Sequence, residues 1–203
     1  MLTLTKEYLE IFFQQNTVLL ESIPDTIIPK SARRIGEKGN EQLLAPYILD
    51  TVLKRRAPEK AIVLMAITEK DLYPKQEWNY IFGLASYSER VGVCSIFRLQ
   101  DKSSDTATFK ICLSRLINIS SHEIGHMFSL HHCINAWCIM NGSNSLHETD
   151  SIPNRLCAEC QKKLFWNIRY DNKKRLQELI GFFEKNKLER DYILSKSDLD
   201  KIN

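Results

Sequence analysis

The residues of this sequence best placed to do chemistry are three histidines and a glutamate between positions 122 and 132. His122-Glu123-Ile124-Gly125-His126 is an H-E-x-x-H segment, and on a helix its two histidines stand only about 40° apart on adjacent turns. Both imidazoles can therefore reach one metal ion, while Glu123 flanks the same face without being a ligand. A hydrolytic zinc site needs three protein ligands and an open position, and the ion lowers the pKa of its water to about 7. His132 is the third donor expected; on a continuing helix it would point about 120° away from the first two, so the helix must end between His126 and His132. The H-E-x-x-H-x-x-G-x-x-H pattern achieves this with a glycine in the left-handed conformation, and this chain has Ser129 at that position. The strain at a non-glycine residue is roughly 1–2 kcal/mol, against metal binding on the order of 10 kcal/mol. His131 is the alternative third donor.

A second constellation follows at once. Cys133-x₄-Cys138 and Cys157-x-x-Cys160 have the two-pair spacing of a structural zinc site closed by four thiolates. His132 and Cys133 are neighbours, and in an extended segment their side chains point to opposite sides, one toward each metal. Cys94 and Cys112 lie alone in apolar surroundings and read as inert core residues.

The elements that must position these groups can be outlined. Ala107 to Leu130 reads as one long helix whose apolar stripe (Phe109, Leu113, Leu116, Ile117) leads into His122. Before it, Ala61 to Ile67 is a β-branched run suited to a buried strand, and Tyr80–Ser86 and Val91–Arg98 are strand candidates joined by a turn. Helices are expected at Lys6–Gln14 and Asn40–Arg56, with a strand or extended edge at Ile23–Lys30 between them, interrupted by turns at Pro24 and Pro29. Cys133 to Leu156 is irregular and needs pinning, and Cys157 to Asn203 is helical in pattern.

Composition narrows the function classes. A net charge of +3 from 28 basic and 25 acidic residues gives no field for a polyanion, so no nucleic-acid partner is expected. The basic clusters Arg33-Arg34, Lys54-Arg55-Arg56 and Lys173-Lys174-Arg175 read as solvated faces. The longest apolar run is far short of the roughly 18 residues of a membrane span, and Lys6, Glu7 and Glu10 interrupt any export signal, so a cytoplasmic protein with reduced thiols is expected. No feature specifies an oligomeric state.

Taken together, His122-Glu123-x-x-His126, His132-Cys133, Cys138-Ile-Met140 and Cys157-x-x-Cys160 resemble the archaemetzincin signature, a family of the metzincin zinc metallopeptidases. Further similarity lies in Ile67-Thr68, Asp71-Leu72-Tyr73-Pro74, Trp78 to Gly83 with Ala85, and Gly142-Ser143-Asn144, so that the resemblance covers roughly Pro24 to Leu164. It implies an α+β zincin-like fold: a mixed sheet and a long active-site helix over the metal in residues up to about 131, and a small zinc-bound C-terminal part from about 132 to 203, in one domain. It implies Met140 in a tight turn beneath the histidines, and Tyr80–Ser86 as the edge strand that pairs with an extended peptide. Two zinc ions per chain follow, one catalytic and one structural. The expected reaction is hydrolysis of a peptide or protein substrate, with Glu123 as general base and His147 or Tyr80 as candidate oxyanion donors. A zinc protein without catalytic activity is the alternative.

Overall fold

The computed structural model describes residues 1–100 and 105–202. Its centre is a run of strands packed on one long helix. β1 (Arg33–Ile35) and β2 (Glu41–Leu44) are antiparallel, and β2 continues in parallel to β4 (Asp71–Tyr73). β3 (Leu64–Thr68) pairs in parallel with β6 (Val91–Ser95), which pairs antiparallel with β5 (Gly83–Ala85). The described strands form two three-stranded sheets where one mixed sheet was expected, and an isolated antiparallel bridge joins Leu72 of β4 to Ile81, two residues before β5. β6 is central and buried along its whole length, as its Val-Gly-Val-Cys-Ser sequence allows. β5 and β3 are the two outer strands of this sheet.

The long helix α3 (Thr106–Met127) begins at Asp105, whose carboxylate accepts the Thr108 amide at 2.8 Å. From Cys112 onward α3 is buried almost all round, between β5 and β6 on one side and α1 (Leu2–Phe13) on the other. The remaining helices are α2 (Ala45–Tyr47, continuing as a wide turn over Ile48–Leu53), α4 (Leu146–Ser151), α5 (Ala158–Ile168), α6 (Asn172–Lys185) and α7 (Glu189–Asp200). None of the described helices is long and apolar enough to cross a membrane.

Three expectations change. The helix expected over Asn40–Arg56 starts only at Ala45, because Glu41–Leu44 is drawn into pairing on both sides and Pro46 fits a first helical turn. Ile23–Lys30 forms no strand: the expected interruptions dominate, as short 3₁₀ turns at Asp25–Ile27 and Lys30–Ala32, each preceded by an extended proline. Of the basic clusters, Arg175 is 1% exposed: its Nε donates to the Phe12 carbonyl at 2.8 Å and its guanidinium lies over the Phe12 ring, so it satisfies an open carbonyl at the end of α1. Arg33 and Arg34 lie in β1, bonded to Glu41 and Gln42.

The carboxylate of Asp71, wholly buried in β4, ties the two sheets to the chain beyond them. Arg98 grips it in a fork (2.8 and 2.7 Å), and Gln42 and Asn40 add bonds of 2.8 and 2.9 Å. Burial alone would raise its pKa, but these four bonds outweigh it and hold the carboxyl below its usual range. Its stabilising contribution is therefore present at neutral pH and lost as pH falls through the depressed pKa. Asp71→Asn leaves Arg98 charged against a neutral group, and a loss of about 3 kcal/mol is expected, readable as a shifted urea midpoint.

Candidate metal centres

α3 ends where the third histidine requires it to end. Ser129 takes φ 63°, its amide donates to His126 at 2.8 Å, and the Leu130 amide reaches back to the Gly125 carbonyl at 3.0 Å. These two bonds make a Schellman stop, with serine in the left-handed place usually held by glycine. The chain then turns back and brings His132 beside the helix. The donor nitrogens of His122, His126 and His132 lie within 4.8 Å of one another, and the His122 and His126 Nε2 atoms are 3.0 Å apart. Nitrogens bound tetrahedrally to zinc at 2.0–2.1 Å would stand about 3.4 Å apart, so the set fits with a few tenths of an ångström of adjustment.

The rings are oriented from behind. His122 Nδ1 donates to the Ile139 carbonyl at 2.8 Å and His126 Nδ1 to the Leu130 carbonyl at 2.7 Å, which fixes the proton on Nδ1 and leaves each Nε2 lone pair facing the shared point. Burial, with the neighbouring His126, pushes His122 down to about 4, so its ring is neutral, the form a metal takes. His131 is not part of the triad. It stacks on Tyr87 at 5.3 Å, and the Tyr87 hydroxyl lies 2.9 Å from His126 Nδ1. Tyr87 was not expected at the site; in the sequence it belongs to a polar turn with nothing to mark it.

Glu123 is 7% exposed, and burial pushes its carboxyl up to about 8. A cation at the histidines would act in the opposite sense. The carboxylate lies directly against β5: a Cβ on Gly83 would stand 2.6 Å from Glu123 Oε1. Gly83 thus leaves the space Glu123 occupies, a role that nothing in the sequence signals except a glycine in a strand. Met140 packs against α3: a Cβ on Gly125, within the H-E-x-x-H segment, would meet its Sδ at 2.4 Å. Both are in close-packed surroundings, Met140 being 0% exposed. Gly125→Ala is expected to cost about 1–3 kcal/mol through overpacking, lowering the thermal midpoint by several degrees.

The turn carrying Met140 is closed by Asn141. Its Nδ2 donates to the Cys133 and Ala136 carbonyls (2.6 and 3.0 Å) and its Oδ1 accepts the Cys138 amide at 2.9 Å. The same turn brings the four cysteines together: their sulfurs lie within 4.8 Å of one another, and Cys133 and Cys157 Sγ are 3.7 Å apart. That is far longer than a disulfide and close to the edge of about 3.8 Å of a tetrahedron with zinc–sulfur bonds of 2.3 Å. The Cys157 amide donates to Cys138 Sγ at 3.3 Å. Burial works against ionisation at Cys157, but the Cys160 amide and the neighbouring thiols outweigh it and hold the thiol below its usual range; burial pushes Cys138 up to about 11. Cys94 and Cys112 are buried in the core as expected, and burial pushes the Cys94 thiol up to about 12. Of the candidate oxyanion donors, Tyr80 gives its hydroxyl to the Asn144 carbonyl at 3.2 Å and His147 is exposed on α4.

The model of peptidase family M54 matches residues 50–165, which span both histidines of α3, His132 and all four cysteines of the cluster. The chain belongs to this family. An archaemetzincin of Natronomonas pharaonis is 35% identical over 132 residues, covering 63% of this chain and 74% of its own length. Archaemetzincin-2 of Pongo abelii is 33% identical over 199 residues, covering 85% of this chain and 55% of its own. The chain thus spans about half the length of the longer archaemetzincins it matches. Among solved structures, the archaemetzincin of Methanopyrus kandleri superposes with a TM-score of 0.63 at 27% identity, over 83% of this chain and 86% of that one. The M54 fold, an α+β zincin-like architecture with a cysteine cluster in its C-terminal region, is the one described above.

Proposed function

We propose that this chain is a zinc-dependent peptidase, with His122, His126 and His132 as ligands of a catalytic zinc, Glu123 as general base, and Cys133, Cys138, Cys157 and Cys160 as ligands of a second, structural zinc. The observation that carries the reading is the convergence of three histidine donors beside a buried carboxylate that is not itself grouped with them. When bound, zinc supplies a Lewis acid that polarises a carbonyl and acidifies water. The chain's own residues do the rest. Backbone carbonyls of Ile139 and Leu130 keep the His122 and His126 lone pairs aimed inward. Glu123 takes a proton from water and passes it to the leaving amine. β5, the one of the sheet's two outer strands that has Gly83 against Glu123, offers backbone groups to an extended peptide. A carboxylate beside the ligands supports hydrolysis, because a metal held only for folding has no use for a proton acceptor at that place. In this reading one domain does the work: residues up to about 131 carry strands and active-site helix, and the remainder carry the cysteine cluster and the packing helices.

The test combines zinc content with cleavage of a mixed peptide library. Native protein is expected to hold two zinc ions, to cleave, to stop when the more accessible ion is removed by a chelator, and to resume when zinc is restored. Two zinc ions without cleavage of any peptide would mean a silent zinc protein; one ion, bound by cysteine, would mean that His132 fails to complete the site.

A further inference from the structure

Resting on the peptidase reading, we propose that Tyr80 determines which side chain is admitted beside the scissile bond, by filling the apolar recess next to Glu123. Three contacts hold the half-buried ring. Its edge meets Phe82, with ring centroids 5.4 Å apart; the Arg98 guanidinium lies 3.7 Å above it; and its hydroxyl donates to the Asn144 carbonyl at 3.2 Å. Arg98 in turn is held by Asp71 in a fork of two hydrogen bonds. Tyr80 and Leu146 both pack against the cluster that contains Phe82, Leu116 and Ile119.

The place of this recess gives it meaning. Phe82 immediately precedes Gly83, which lies against the Glu123 carboxylate, and Ile119 stands one helical turn before Glu123 on α3. Asn144 and Leu146 follow Gly142, whose added Cβ would come within 3.3 Å of the His132 ring. Tyr80 therefore packs where β5, the helix α3 and the loop after Met140 come together. A peptide extended along β5 directs alternate side chains toward the protein, and one that flanks the scissile bond points here. An apolar pocket of this kind would take a leucine or phenylalanine side chain, but in this chain Tyr80 already occupies it. The substrates are then peptides with glycine, alanine or serine on that side of the bond, and the hydrogen bond to Asn144 keeps the ring from swinging out.

Hydroxamates report on the recess without turnover. A series carrying hydrogen, methyl, isobutyl or benzyl beside the hydroxamate would be bound to zinc-loaded native protein and to Tyr80→Ala, Tyr80→Leu and Tyr80→Phe, each checked for zinc content and thermal midpoint. Native protein is expected to bind the methyl compound at least tenfold more tightly than the benzyl one. Tyr80→Ala should reverse that order, and Tyr80→Phe should keep it, since Arg98 and Phe82 still hold the ring. Tyr80→Leu, which keeps apolar bulk, decides the matter if Tyr80→Ala does not fold: benzyl must gain relative to methyl. Equal binding of benzyl and methyl by native protein, or an unchanged order in a folded Tyr80→Ala, overturns the assignment. Binding with the expected order but no cleavage of any peptide would sink the hydrolytic reading and leave the size rule standing. Zinc-loaded protein that binds none of the series overturns both.

Discussion

Glu123→Gln is expected to lower the rate of peptide hydrolysis by about 10²–10⁴-fold while leaving zinc content unchanged. Glutamine has the shape of glutamate, so it fits the space against Gly83 where the Glu123 Oε1 atom and a hypothetical Cβ would be only 2.6 Å apart. What it loses is the ability to accept a proton. Burial already pushes the Glu123 carboxyl up to about 8, which means that the fold disfavours its charge; a neutral amide relieves that cost and the thermal midpoint should hold or rise. Glu123→Asp separates reach from chemistry. It keeps the carboxylate but withdraws it by one methylene, and a displacement near 1 Å is expected to lose about 10²-fold. Steady-state rates with elemental analysis on the same preparations decide the matter. Turnover above a tenth of native in zinc-loaded Glu123→Gln would rule out the role of general base.

The two sets of candidate donors were legible in the sequence because metal ligation needs particular atoms at particular spacings, and the fold brings each set within 4.8 Å. The end of α3 was legible for the same reason: His132 can return only if the helix stops, and Ser129 at φ 63° is how it stops. What surrounds the donors was not legible. Gly83, Asn141 and Tyr87 act through backbone space, a closed turn and a ring stack, and each depends on which segment lies opposite, a tertiary fact. Tyr80 was legible as a candidate oxyanion donor, and what the sequence did not show is that its hydroxyl donates to the Asn144 carbonyl. The misread segments share a cause. Glu41–Leu44 has helical apolar spacing when read with the residues after it, but pairing with β1 and β4 overrides that local preference, and Pro46 marks the true start. Arg175 looked solvated because its neighbours Lys173 and Lys174 are, yet the open carbonyl of Phe12 holds it inside.

Cys138→Ser is expected to abolish both metal sites and most of the fold's stability, whereas His132→Ala should abolish only one site. The asymmetry follows from connectivity. The four sulfurs join the loop Cys133–Cys138 to the start of α5, where Cys157 caps the helix and Cys160 lies in its first turn. Zinc bound by such a set contributes on the order of 10 kcal/mol in isolated modules, comparable with the whole stability of a domain, about 5–15 kcal/mol. Between Cys133 and Cys138 and just beyond lie the groups that serve the histidines: the Cys133 amide donates to the Met140 carbonyl at 2.8 Å, the Ile139 carbonyl orients His122, and Met140 fills the space beneath Gly125. Losing one sulfur therefore loosens the turn that orients the histidine donors. His132, by contrast, is exposed and packs on little else, so its removal leaves the cysteine zinc and the core in place. Zinc per chain and the thermal transition, measured on both variants, read the difference. If Cys138→Ser keeps a histidine-bound zinc and melts with the native protein, the two centres are independent and the loop is held by packing alone.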